Sequence, residues 1–412
     1  MNTLLEELAA TGDQDAFWAR VAELGTPLVE PDGDGHHRVT LLWRDRGEGT
    51  RAVLASVNTL TDRQRHRGDL GPSLLSRMPG TDVWHIELRL RADLRATYQM
   101  FAFDDRDPGL DPARIDRAAW RKLLDIAEPD PLNPVRFPNK RGAPMSSVLE
   151  LPEAPPHPWW RPRDVPAGAV TEHRVRSEIL GNERTVWVYA PPGRPTGPLP
   201  VLVLLDGDVW GPLVPIRATI DNLVAEGLVP PMVVLMPDVI DRDHRLRELA
   251  CHEPFVRFLA DELLPWARRG FPVTSRASET VIAGQSFGGL TAAYAGLVAS
   301  SEFGVVLSQS GSFWWPEDSL GNDEEWLSRE FARSPRLPVR FYLEAGLLEW
   351  MLLAANRHLR TVLEAKGYDV IYREYLGGHD YVCWRGGIAD GLIALFGGCT
   401  RDQGRYRRGD GS

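Results

Sequence analysis

Lysine is nearly absent from this chain. Of its 47 basic side chains all but Lys122, Lys140 and Lys366 are arginine, and 57 carboxylates leave a formal net charge of −10. Binding to nucleic acid requires a basic face against phosphates, and no Lys/Arg run occurs outside the last dozen residues, so a nucleic-acid partner is excluded. The arginine excess reads first as compositional bias and second as a supply of forked anion-binding groups. Cysteine is as scarce: Cys251, Cys383 and Cys399 form neither a disulfide framework nor a C-x-x-C pair. No apolar run reaches the roughly 18 residues of a membrane span. Residues 1–20 carry Glu6, Glu7, Asp13 and Asp15 and lack the basic-then-apolar order of a secretory leader. These absences predict a cytoplasmic protein with reduced thiols and no membrane partner. Metal and nucleotide motifs are missing too. His252-Glu253-Pro254 begins like a zinc-binding H-E-x-x-H helix but no second histidine follows, and there is no G-x-x-x-x-G-K-[ST] loop.

What is present is an ordinary globular composition, 43% hydrophobic and 25% charged, on 412 residues, more than one core usually serves. Residues up to about Gly25 read as helical. From Leu28 to Phe103, short β-rich runs (His37 to Arg44, Arg51 to Val57, Val83 to Arg89, Ala96 to Phe103) alternate with turn clusters and show little helical period. That spacing predicts an antiparallel β-sandwich over residues 1–150. Proline accumulates from Glu128 onward and marks 151–168 as a linker. Over 169–400 apolar strands alternate with helices: Thr185 to Ala190, Val201 to Leu205, Met232 to Met236, Thr280 to Ala283, Val305 to Ser308, Val339 to Glu344 and Asp369 to Tyr375. Continuous apolar strands separated by helices predict a mainly parallel sheet covered on both faces, an α/β fold. Residues 401–412 read as a disordered polar tail.

Within the second region Gly284-Gln285-Ser286-Phe287-Gly288 is a G-x-S-x-G sequence between a predicted strand and a small-residue helix. This is the nucleophile elbow of α/β-hydrolases: the serine is held in a strained turn, and side chains two positions away on either side would collide with strand and helix. The fold places its acid and then its histidine after the serine. His358 lies in a helical run, whereas His379 stands in the loop Leu376-Gly377-Gly378-His379-Asp380 past the last strand, so His379 is the expected base. Glu344 and Glu349 are the candidate acids. Glu344 lies within the penultimate strand and Glu349 follows Gly346, so Glu349 is the expected partner, Glu344 an outer hydrogen-bonding group, and a dyad without acid the remaining arrangement. An oxyanion hole needs two backbone donors. Phe287 supplies one, and the loop Leu204 to Trp210 the other, through the Asp208 N–H.

These blocks resemble the ferric enterobactin (enterochelin) esterases, the cytoplasmic type with an extra N-terminal domain. The resemblance rests on Gly284 to Gly289, on Leu307-Ser-Gln-Ser-Gly-Ser-Phe-Trp-Trp315, on Leu343 to Gly346 with Glu349 and Asn356, and on Gly377-Gly-His-Asp-Tyr-Val-Cys-Trp-Arg-Gly-Gly387. It extends to Phe17-Trp18, Gly25 to Pro31, Pro79 to Trp84, Asp130 to Pro134 and Ser147 to Pro152. It implies a catecholate siderophore substrate, a cyclic trilactone of dihydroxybenzoyl-serine, free or Fe(III)-bound, with no resident metal or cofactor because any iron belongs to the substrate. The anionic, aromatic-rimmed complex implies cations and flat rings in the site, and Arg245, Trp314 and Trp315 are the candidates. A surface ion pair with Glu248 is the alternative for Arg245, and core packing for one of the tryptophans. A general carboxylesterase or feruloyl-type esterase, or a non-catalytic siderophore-binding protein, are the alternative functions. Residues 1–150 hold no nucleophile–base set of their own and are expected to wall the siderophore site without catalysing.

Overall fold

The structure, a computed structural model, describes residues 2–45, 47, 49–104, 111, 113, 115, 116, 119, 120, 123, 124, 127–139, 145–316 and 324–405. The chain divides into two compact units, Met1–Pro156 with Leu376–Cys383, and His157–Tyr375 with Trp384–Ser412.

The first unit is built on two antiparallel four-stranded sheets. One has the order β1 (Leu28–Pro31), β2 (His36–Arg44), β5 (Val83–Arg91), β4 (Ser76–Arg77). The other has the order β3 (Ala52–Val57), β6 (Arg95–Phe103), β8 (Ser146–Glu150), β7 (Arg136–Phe137). The helices Thr3–Thr11 and Gln14–Leu24 pack Leu5, Leu8, Phe17, Trp18 and Val21 against Leu42 and Val83. That second covering is why β2 is buried at consecutive residues, Leu41 and Leu42, and does not alternate. Several elements escape the sequence pattern, among them β8 and one helix. Strand β8 lies in the proline-rich stretch yet pairs with both β6 and β7. The helix Asn58–His66 interrupts the β-rich region; it buries only Thr59 and Thr61, so it has no apolar stripe to betray its period.

The second unit holds an eight-stranded sheet in the order β16-β15-β14-β13-β11-β12-β10-β9. The strands are β9 (Ala169–Ser177), β10 (Asn182–Ala190), β11 (Val201–Leu204), β12 (Val233–Pro237), β13 (Thr280–Gln285), β14 (Val305–Gln309), β15 (Arg340–Gly346) and β16 (Asp369–Tyr375). All neighbours are parallel except β9 with β10 and β10 with β12. This is the α/β-hydrolase sheet. Alternate strand residues Val203, Leu235, Ile282, Val306 and Phe341 face a core shared with Phe255, Leu259, Leu290 and Phe331. The opposite face, with Leu307 and Tyr342, is covered by the helix Tyr381–Arg405, where a side chain at Gly391 would come within 2.7 Å of Leu307. Both faces are dry, as the apolar runs require. The linker is fastened to this unit from His157 on: Asn222 Nδ2 donates to the Trp159 and Arg161 carbonyls, and Arg385 lies 3.8 Å over the Trp160 ring. The last helix runs on to Arg405, while the rest of the stretch read as a disordered tail, 406–412, lies outside the described residues.

Candidate active site

Strand β13 ends at Gln285, and Ser286 follows at φ 61° and ψ −123°, a conformation that L-residues reach only under strain, before the helix Phe287–Val298 begins. The glycines enforce it. A Cβ on Gly284 would lie 2.4 Å from the Gly288 carbonyl carbon, and one on Gly289 would lie 2.5 Å from Ser308 Oγ. The Ser286 N–H donates to the Gln309 carbonyl at 3.1 Å and its carbonyl accepts from Ser312 N–H at 3.0 Å, so the turn is pinned on both sides. Ser286 Oγ stays partly open and has Ser312 Oγ 3.4 Å away.

The loop after β11 adjoins this turn: a Cβ on Gly288 would fall 3.5 Å from Asp206 Oδ2. Asp206 adopts φ 57°, and the short helix Gly207–Trp210 starts directly after it. A Cβ on Gly207 would sit 2.2 Å from the Met236 carbonyl oxygen, so only glycine fits. Asp208 and Phe287, the residues read as oxyanion donors, each lie in the first turn of a helix, where a backbone N–H has no intrahelical acceptor.

Arg245 is engaged. Its Nε and Nη2 donate to the two Asp206 oxygens at 2.5 and 2.8 Å, a fork on a fully buried carboxylate. The expected alternative partner, Glu248, is taken instead by Arg184 at 3.0 and 3.1 Å, in a buried pair beside the Phe255 and Phe258 rings. Trp314 and Trp315 are both half-buried. Trp314 meets the Phe287 ring edge-on at 5.9 Å and Trp315 meets Trp326 at 6.0 Å, so Trp314 is the one set beside the elbow.

The two acids differ in surroundings. Glu349 is buried in the turn after β15, where its Oε2 accepts the Gly346 N–H at 2.8 Å. Glu344 accepts from Gln309 Nε2 at 2.7 Å and from Tyr342 OH at 3.0 Å, and burial pushes its carboxyl up to about 7.

The histidine loop, Leu376–Cys383, belongs to the first unit. Asp380 is buried there, with Oδ2 accepting from Thr97 N–H and Oγ1 at 2.7 and 2.8 Å and Oδ1 accepting from Val382 N–H at 3.0 Å. Asn58 Nδ2 donates to the His379 carbonyl at 3.2 Å, and a Cβ on Gly378 would strike Thr59 Oγ1 at 2.0 Å. His379 opens onto a cavity of about 290 Å³ walled in part by Asn58, Asp62, Arg65, Gln99 and Trp120. Burial raises the Asp62 carboxyl above its ordinary range, opposed by Arg65 and His379.

The esterase family model matches residues 177–395, and the enterochelin esterase N-terminal model matches residues 38–160. The iron(III) enterobactin esterase of Dickeya dadantii is 37% identical, over 93% of each chain. The chain belongs to the enterobactin esterase family. It is a carboxylic ester hydrolase, as the esterase domain and those relatives show. The crystal structure of the ferric enterobactin esterase from Salmonella typhimurium has 35% identity and a TM-score of 0.84, covering 94% of this chain and 100% of that one. The Shigella flexneri enzyme, crystallised in the presence of enterobactin, has 35% identity and a TM-score of 0.79 over 93% and 98%. In this enterobactin esterase family member, sequence reasoning named Ser286, Phe287, Asp208, Glu349 and His379 but missed Asp206, Asn58 and Thr97. The pairing of Asp206 with Arg245, 39 residues on, left no local signal, and the partners of the histidine loop lie about 300 residues away.

Proposed function

We propose that this protein hydrolyses the ester bonds of a catecholate trilactone siderophore, enterobactin or a close relative, in its free or Fe(III)-bound form. The observation that carries the reading is that likeness to enterobactin esterases spans both units, the N-terminal one included.

Ser286 Oγ attacks a lactone carbonyl carbon while His379 takes the hydroxyl proton and Glu349 steadies the imidazolium. The Phe287 and Asp208 amides hold the oxyanion. Collapse breaks the acyl C–O bond, and the leaving seryl alkoxide receives the proton from His379. Water then attacks the acyl-enzyme, His379 takes its proton and returns one to Ser286 Oγ, and a linear ester-cleaved siderophore leaves. The order Ser286, Glu349, His379 and the strained Ser286 backbone support these roles. No resident cofactor takes part, and iron enters only with the substrate. The free thiols Cys251 and Cys383 suit the reducing cytoplasm we infer as its compartment. Because His379 opens onto a cavity of the first unit, that unit contributes to substrate binding, with Arg65 and Trp120 the groups suited to an anionic aryl arm.

The test is Ser286→Ala assayed on purified trilactone beside p-nitrophenyl acetate. Turnover should fall on the order of 10⁴-fold or more with the fold intact. Near-normal hydrolysis would end the nucleophile assignment, and equal preference for the small ester would favour a general carboxylesterase.

A further inference from the structure

Beneath the elbow a row of polar side chains crosses the sheet out of solvent. Trp210 Nε1 donates to Gln285 Oε1 at 2.9 Å, Gln285 Nε2 to Gln309 Oε1 at 2.7 Å, and Gln309 Nε2 to Glu344 Oε1 at 2.7 Å. Tyr342 OH closes the row on Glu344 Oε2, and all five side chains are buried. Its direction is forced: indole is a donor only, so each amide must turn its oxygen toward Trp210 and its nitrogen toward Glu344. The row therefore needs an acceptor at its far end, and Glu344 Oε1 is that atom.

The members are not arbitrary. Trp210 ends the helix that carries Asp208, Gln285 directly precedes Ser286, the Gln309 carbonyl accepts the Ser286 N–H, and the Glu344 carbonyl accepts the Ser310 N–H at 2.7 Å. The final helix approaches closely enough that a Cβ on Gly387 would lie 2.0 Å from Glu344 Oε1. We propose that Glu344 is a positioning residue that acts on Ser286 through Gln309 and Gln285, holding the oxyanion turn and the nucleophile strand in register.

The acceptor is strongest when ionised. Burial opposes ionisation, as do Asp390 on the final helix and Glu349 after β15; Gln309 and Tyr342 favour it through their hydrogen bonds, and Arg373 on β16, the register partner of Glu344 and ion-pair partner of Asp390, adds a cation that acts on Tyr342. The row thus tightens as pH rises through neutrality.

The inference rests on Ser286 as nucleophile, so the experiment follows labelling of Ser286 by a fluorophosphonate as well as kcat and KM on the trilactone. In E344L, kcat and the labelling rate should both fall on the order of 10- to 100-fold with KM nearly unchanged, as a misplaced reacting group requires. E344Q keeps an acceptor for Gln309 and should recover most of that loss near about pH 6, while its gain in kcat toward about pH 8 should be smaller than the wild type's. Q309L should match E344L, and the double variant should be no worse than either. Normal labelling and kcat in a folded E344L, or E344Q with an unaltered pH profile, would overturn the proposal. Absence of labelling in the wild type would instead overturn the nucleophile.

Discussion

Asp380 and Thr97, 283 residues apart in sequence, share two hydrogen bonds in which one carboxylate oxygen receives both the backbone N–H and the hydroxyl of the threonine. The bond pair fixes the residue beside His379 onto strand β6, and Asn58 and Gly378 hold the other side of the same loop. His379 is thus aimed by residues of the first unit.

The first prediction follows from that seat. Asp380→Ala removes the acceptor of three hydrogen bonds and strands three buried donors, so kcat should fall about 10- to 100-fold. Thr97→Val, which removes only the hydroxyl, should cost less. Steady-state kinetics beside circular dichroism will check the order, and an Asp380→Ala enzyme as fast as wild type would deny the loop its positioning role.

A second prediction separates two roles for Arg245. Its fork holds a buried carboxylate, so Arg245→Ala should destabilise the protein by about 3 kcal/mol through the uncompensated charge of Asp206. Adding Asp206→Asn should restore much of that stability. If Arg245 also reads the charge of the siderophore, the double variant will retain a raised KM for the ferric complex; if it serves Asp206 alone, KM will return with stability.

The third prediction concerns pH. Glu344 carries its proton up to about 7 in the fold against an ordinary value of 4.5, so the native state binds more protons than the unfolded chain between these values. Stability from this group is complete below the unfolded value and is lost as pH rises through 7. Thermal melts of wild type should therefore decline between about pH 5 and about pH 8 more steeply than those of Glu344→Gln. Parallel curves would show that Glu344 is ionised throughout.

The legible parts of the sequence were those governed by local rules. Gly284 is required by a collision with the Gly288 backbone four residues on, and buried parallel strands announce themselves as apolar runs such as Val201 to Leu204. Strand β9 was hidden because its residues are mostly exposed and polar, as suits an edge strand. The helix Asn58–His66 was hidden because the residues it buries, Thr59 and Thr61, are polar. Nothing near His379 could disclose that its loop completes the first unit, because that information lies in long-range hydrogen bonds. Glu344 was legible as an acid but not as the end of a row, which depends on the register of β13, β14 and β15.

The discontinuity of the first unit also bears on synthesis. Residues 1–156 leave the ribosome first, yet the segment Leu376–Cys383 that completes their unit emerges only after the whole sheet of the second has been made. During that interval the cradle formed by Asn58, Thr59 and Thr97 is empty. Its contacts are among the most distant in sequence that the chain makes, and such contacts form slowly because loop closure comes before any gain from them. The base proposed for this esterase, His379, is therefore installed late, so a nascent or truncated chain that already shows a folded β-rich unit is expected to lack hydrolytic capacity until that loop docks.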